Sequence, residues 1–262
     1  MKLAVYTGAP KSPIHPTPLL FVHGAWQGAW CWQKYWFDFF CSHGYTVHAL
    51  DLRGHGNSPE RKHLRWARIS DYVNDVAEVA AMLPTSPIII GHSMGGLVVQ
   101  KYLEAHPAPA AVLVTSVPPQ GALPAALRYA YKHPRAFLKA NLTLSLYPFV
   151  YPPALGRAFL FSPEFSQSEY AELAPGIQDE SYCAFLDMMF FRFSHPSRIK
   201  TPVLVLGAAH DEIFTLDEVK ATARAYGTMA TIFPHSGHEL MLDHDWRDAA
   251  DKIVQWLDER SL

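Results

Sequence analysis

Cysteine is scarce in this chain: three residues in 262 (Cys31, Cys41 and Cys183), odd in number and without CxxC spacing. That excludes a disulfide framework and a paired-thiol redox or zinc motif, and the three read as reduced packing residues. Charge is also thin. Asp, Glu, Lys and Arg make up 18% of the residues and the formal net charge is −2, so no basic field exists to hold nucleic acid or anionic lipid. No run of about twenty apolar residues is present to span a bilayer. The opening Met1-Lys2-Leu3-Ala4-Val5-Tyr6-Thr7 lacks the apolar stretch of a secretion signal, and a cytoplasmic protein is the expectation. Internal repeats and low-complexity tracts are missing too.

Apolar residues, by contrast, make up 49% of the chain, enough at this length to bury a large core. Apolar runs bounded by turn residues recur at Leu19–Val22, Tyr45–Leu50, Ile88–Ile90, Ala111–Thr115 and Val203–Leu206. Helical patterns lie between and after them, at Trp32–Cys41, Ser70–Leu83, Ser93–Ala105 and Leu216–Ala225. A last helix starts near Asp245 and carries Trp246, Ala249, Ile253, Trp256 and Leu257 on one stripe. Strands alternating with helices predict an α/β fold, a doubly wound and mostly parallel sheet covered on both faces.

Residues 120–198 break that alternation. Helix-like pieces there are punctuated by Pro124, Pro134, Pro148, Pro152, Pro153, Pro163 and Pro175, with no convincing parallel strand. A structureless loop of that length is implausible in a compact domain. The expectation is a helical cap inserted over the strand ends, with residues 1–119 and 199–262 forming the core. Fifteen of the 34 aromatic residues fall in the insertion. Most should pack the cap onto the core, and a minority should line a pocket for an apolar acyl or aromatic substrate.

The chemistry concentrates at Ile90-Gly91-His92-Ser93-Met94-Gly95-Gly96, a G-x-S-x-G sequence entered from Pro87-Ile88-Ile89-Ile90. A chain leaving a buried strand and turning sharply into a helix needs small residues at the turn and projects the apex side chain, here Ser93, above the sheet. A helix N-terminus beneath it favours developing negative charge. A serine hydroxyl is a weak nucleophile, so it needs a base and the base an orienting acid. Asp211 follows the strand run Val203–Leu206 in Gly207-Ala208-Ala209-His210-Asp211, and His238 follows a short strand, Thr228–Phe233, in Pro234-His235-Ser236-Gly237-His238. The three groups thus leave strands that read as consecutive along one edge of the sheet, at the carboxyl ends where sites in open α/β sheets gather.

With these residues in view the chain resembles the α/β-hydrolase superfamily along nearly its whole length, in its serine esterase and lysophospholipase-like branch. The matching stretches, in order, are Phe21-Val22-His23-Gly24-Ala25-Trp26, Asp51-Leu52-Arg53-Gly54-His55-Gly56-Asn57-Ser58, the Ser93 turn, Gly207–Asp211 and Ser236-Gly237-His238. The resemblance implies Ser93 as nucleophile, Asp211 as acid and His238 as base, with an oxyanion hole from the backbone amides of Ala25 and Met94. Trp26, beside the first of these amides, is expected to contact substrate. It implies hydrolysis of a small-molecule carboxylic ester through an acyl-enzyme, with no metal or organic cofactor. The oligomeric state is left open.

Competing readings attach to several neighbours. His23 should prop the oxyanion loop by hydrogen bonding. Asp51 and Arg53 should satisfy backbone groups of a tight turn, and His92 should pack away from the apex. His235 and Glu212 are rivals to His238 and Asp211. His238-Glu239 opens a zinc motif, but Leu242 stands where H-E-x-x-H needs its second histidine. His23-Gly24-Ala25-Trp26-Gln27-Gly28-Ala29-Trp30-Cys31-Trp32 is also similar to the methylesterase and hydroxynitrile-lyase branch. The same triad could serve C–C hydrolysis, perhydrolysis or cofactor-free haloperoxidation, or the scaffold could be a ligand-binding receptor.

Overall fold

The computed structural model describes residues 2–191 and 193–262. Seven strands form one sheet: β1 (Val5–Gly8), β2 (Leu19–Val22), β3 (Val47–Leu50), β4 (Ile88–His92), β5 (Ala111–Val114), β6 (Val203–Ala208) and β7 (Ala230–Phe233), in the order β1-β3-β2-β4-β5-β6-β7. β1 runs antiparallel to β3 and every other pairing is parallel. Every residue of β2, β4, β5 and β6 is buried, as expected of strands covered on both faces. The predicted fold class is the observed one.

Helices α1 (Trp30–Gln33), α2 (Trp36–Ser42), α3 (Ile69–Met82) and α4 (Met94–Leu103) fill the first half of the chain. Residues Trp32–Cys41 were expected as one helix, but the backbone breaks at Tyr35, which leaves helical geometry at φ −135°. There Tyr35 stacks on Trp246, with ring centroids 4.8 Å apart, while Trp32 and Trp36 both pack on Phe21.

Between β5 and β6 the regular structure among the described residues is helical: α5 (Leu123–Lys132), α6 (Pro134–Thr143), α7 (Pro153–Leu160), α8 (Gln167–Leu173) and α9 (Tyr182–Leu186), with short 3₁₀ turns and a π-helical turn at Asp187–Phe191. α10 (Leu216–Ala225) and α11 (Trp246–Asp258) complete the chain. A capping box fixes the start of α10, the Glu218 carboxylate accepting from Thr215 N–H at 2.8 Å while Thr215 Oγ1 accepts from Glu218 N–H. That holds the loop after β6, where Asp211 lies. Among the described residues no helix is long and apolar enough to cross a membrane.

Candidate active site

Ser93 sits between β4 and α4 with φ 50° and ψ −118°, a strained conformation for a residue with a Cβ. The surroundings impose it. A Cβ on Gly91 would lie 2.6 Å from the carbonyl oxygen of Gly95, and one on Gly95 would lie 2.4 Å from that of His23. Ser93 N–H donates to the carbonyl of Val114, and Val117 N–H donates to the carbonyl of Ser93, so the turn is pinned to the end of β5.

The Ser93 hydroxyl lies 2.8 Å from His238 Nε2, and His238 Nδ1 lies 2.9 Å from Asp211 Oδ2. An ionised carboxylate can only accept, so Nδ1 carries the proton and Nε2 offers a lone pair to the serine O–H. Asp211 Oδ1 accepts from the amides of Ile213 and Phe214 at 2.7 and 3.0 Å, which fixes the carboxylate plane. Burial lowers the pKa of the His238 imidazole, but the Asp211 charge and hydrogen bond outweigh it and leave the value raised. The three residues leave β4, β6 and β7 and are not from consecutive strands: β5 stands between the first two. The gap is bridged just past the end of β5 by Thr115, whose hydroxyl donates to the His238 carbonyl at 2.8 Å.

Ala25, Trp26, Ser93 and Met94 share the wall of one cavity with residues of the segment between β5 and β6, among them Ala126, Tyr129, Leu146, Phe149, Phe159 and Met188. Met94 opens α4, where backbone amides have no partner within the helix. The polar atoms of the other lining side chains are engaged elsewhere. Trp26 Nε1 donates to the carbonyl of Leu146 at 3.2 Å, and the Tyr129 hydroxyl donates to that of Phe149 at 2.9 Å. Among the described residues, Ser93 is thus the one polar side chain that this wall offers an occupant.

The neighbouring residues sort as follows. His23 Nε2 accepts from Leu52 N–H at 3.1 Å, so Nδ1 is protonated and donates to the Gly24 carbonyl, as a prop for this loop should. Asp51 accepts from the amides of Ala29 and Asn57. Arg53 departs from expectation: its guanidinium forks onto the buried Asp75 carboxylate instead of satisfying turn carbonyls. Glu212 pairs with Lys132 at the surface and His235 is exposed, so neither reaches Ser93. His92 does pack beneath the apex, but it also donates from Nε2 to the His238 carbonyl at 3.1 Å. Sequence reasoning missed this contact and the buried Gln27–Glu239 hydrogen bond; a carboxylate directly after His238 was the only signal.

A family model described as the alpha/beta hydrolase family matches residues 19–252. A non-heme chloroperoxidase of Streptomyces lividans is 41% identical over 113 residues, 41% of this chain and 39% of that one. Methylesterase 3 of Arabidopsis thaliana is 26% identical over 174 residues, 62% of each chain. The chain thus spans less than two thirds of the curated relatives it matches. Among solved structures, the monoacylglycerol lipase of Paleococcus ferrophilus superposes with a TM-score of 0.74 at 23% identity over 98% of both chains, a likeness of fold.

Proposed function

Because this chain belongs to the alpha/beta hydrolase family, we propose that it is a serine hydrolase of carboxylic esters with an uncharged, apolar acyl or aromatic group. The observation that carries this is the hydrogen-bonded line Ser93–His238–Asp211 opening on a cavity whose other side chains, among the described residues, present no free polar atom. Residues 120–198 act as the cap, on a core of 1–119 and 199–262. Similarity to a methylesterase supports ester cleavage.

In this mechanism Ser93 Oγ attacks the ester carbonyl carbon as His238 Nε2 takes its proton, and Asp211 stabilises the imidazolium. The oxyanion accepts hydrogen bonds from the backbone amides of Ala25 and Met94, each worth about 3–4 kcal/mol in the transition state. Collapse expels the alcohol with the proton from His238 and leaves an acyl-Ser93. Water, deprotonated by His238, attacks that acyl group, and the second collapse releases the acid and restores the serine. Trp26 lies along the acyl group.

The test is acylation of Ser93 by a fluorophosphonate, located by mass spectrometry, together with initial rates on aryl esters of rising chain length. Labelling and turnover are expected, with Ser93→Ala lowering kcat by at least about 10⁴-fold while the protein stays folded. A folded wild type that neither labels nor turns over any ester removes the proposal in favour of a binding protein. A second reading draws support from the chloroperoxidase relative: hydrogen peroxide replaces water against the same acyl-enzyme and yields a peracid. Halogenation of a dye dependent on peroxide, halide and carboxylic acid, and lost in the same variant, marks it.

A further inference from the structure

Three buried polar side chains beside the Ser93–His238 pair take no part in the mechanism above: Gln27, His92 and Glu239, exposed by 3%, 1% and 1%. Each belongs to a different strand end that builds the site. Gln27 lies two residues past Ala25, His92 ends β4 just before Ser93, and Glu239 follows His238. The Gln27 side-chain amide donates to Glu239 Oε2. His92 Nε2 lies 4.0 Å from that same oxygen while donating to the His238 carbonyl. Glu239 N–H donates to the Leu160 carbonyl at the end of α7. The loop with the Ala25 amide and the loop with His238 are therefore joined by one side-chain bond in the interior.

The cluster is under-bonded as well as buried. Gln27 Oε1, Glu239 Oε1 and His92 Nδ1 are buried without a hydrogen-bond partner. With His92 protonated at Nε2, all three are acceptors, so the group lacks a donor. Burial pushes the Glu239 carboxyl from its ordinary 4.5 up to about 7, His238 and the Gln27 bond pulling down and Asp211 and Asp243 pushing up. Burial, with His238 and His23, holds His92 well below its ordinary value and hence neutral. Burial, with a smaller push from the Glu239 charge, raises the pKa of Cys31 and of Tyr170.

We propose that Glu239 is a positioning residue, whose bond to Gln27 fixes the loop carrying the Ala25 amide at one spacing from the loop carrying His238. It acts through these groups and touches no substrate, and it rests on the serine-hydrolase reading above. An oxyanion donor is useful only where the developing charge will be, and displacement by about 1 Å can cost about 10²-fold in rate.

The test uses the full chain with Glu239→Gln, Glu239→Leu, Gln27→Leu and the double variant Gln27→Leu/Glu239→Leu. Glu239→Gln keeps the size and a neutral donor and acceptor, and its kcat is expected within about three-fold of wild type. Each leucine variant is expected to lower kcat by about 10–100-fold with KM nearly unchanged, and the double variant to be no worse than either single one. The downfield proton resonance of His238 Nδ1–H reads the same geometry without substrate. It should match wild type in Glu239→Gln and shift or broaden in the leucine variants. Wild-type kcat in folded Glu239→Leu or Gln27→Leu overturns the proposal, as does Glu239→Gln impaired as deeply as Glu239→Leu. Should Glu239→Leu fail to fold, Gln27→Leu carries the decision. Should wild type itself turn over no ester, the hydrolase reading fails alone, and an unmoved imidazole resonance in the leucine variants still sinks the strut.

Discussion

At the scale of single residues, the pKa of His238 is a contest between burial and Asp211. Burial lowers it and the Asp211 charge and hydrogen bond more than restore it. A general base works only when neutral, so activity should fall on the acid side as pH drops through the raised value. Asp211→Asn removes the main opposing charge and leaves burial opposed only by the weaker Glu239 charge. The acid limb of kcat/KM is then expected to move to lower pH, while kcat drops on the order of 10³–10⁴-fold because the imidazole loses its tautomer and orientation. Rates of both proteins measured from pH 5 to 9 decide it; an acid limb that stays in place or moves upward contradicts the assignment. That these three side chains would meet in one line was legible in the sequence because each stands in a local pattern that constrains backbone: the glycines around Ser93, the loops after the runs ending at Leu206 and Phe233. Glu239 was not, because nothing near it in sequence announces Gln27, 212 positions away.

At the scale of elements, the loop carrying His238 is held from the side of the insertion as much as from the sheet. Asp243 Oδ2 accepts from the amides of Gly237 and Ser162 at 2.8 and 2.7 Å, and Asp243 Oδ1 accepts from the Ser162 hydroxyl. The approach is so close that a Cβ on Gly237 would lie 2.5 Å from the Phe161 carbonyl carbon. Asp243→Ala strands two buried amides, each costing about 1–3 kcal/mol. Thermal unfolding should show a loss of about 2–5 kcal/mol, and kcat should fall more than KM rises, since the base moves and the cavity does not. Unchanged stability counts against this bond set. The strands buried on both faces were legible from continuous apolar runs. β1 was not, since as an edge strand it reads Val-Tyr-Thr-Gly with alternate exposure and its pairing with β3 is remote in sequence. The helix break at Tyr35 was equally hidden, because its cause is a ring of α11. Helicity in 120–198 could be read from spacing and prolines; which aromatics face the cavity depends on how α5, α7 and α9 pack, and spacing alone does not fix that.

At the scale of the molecule, the segment between β5 and β6 is joined to α3 and to the loops after β2 and β3 by buried polar bonds. Glu180 takes His55 Nε2 at 2.9 Å and the Tyr72 hydroxyl at 2.8 Å, with both ionisable side chains fully buried. Nearby, Arg68 forks onto the buried Asp187, and Gln178 N–H donates to the Trp26 carbonyl, so the seat of the insertion and the loop lining the cavity share one set of contacts. Burial lowers the His55 pKa, but Glu180 overrides it and the net shift is upward; burial raises that of Glu180, but His55 overrides it and the net shift is downward. The signs give a window. The His55 contribution is complete below its ordinary value of 6.5 and is lost as pH rises through the raised value. The Glu180 contribution is complete above its ordinary value of 4.5 and is lost as pH falls through the lowered one. Stability from the pair is therefore greatest at mildly acidic pH and decays toward alkaline pH, where the imidazole empties while the carboxylate stays charged. Glu180→Gln should destabilise by about 2 kcal/mol near pH 6, since His55 can turn neutral but one buried bond is lost. The gap from wild type in thermal unfolding should narrow as pH rises toward 9. A gap of the same size at every pH means that the two groups do not titrate as a pair.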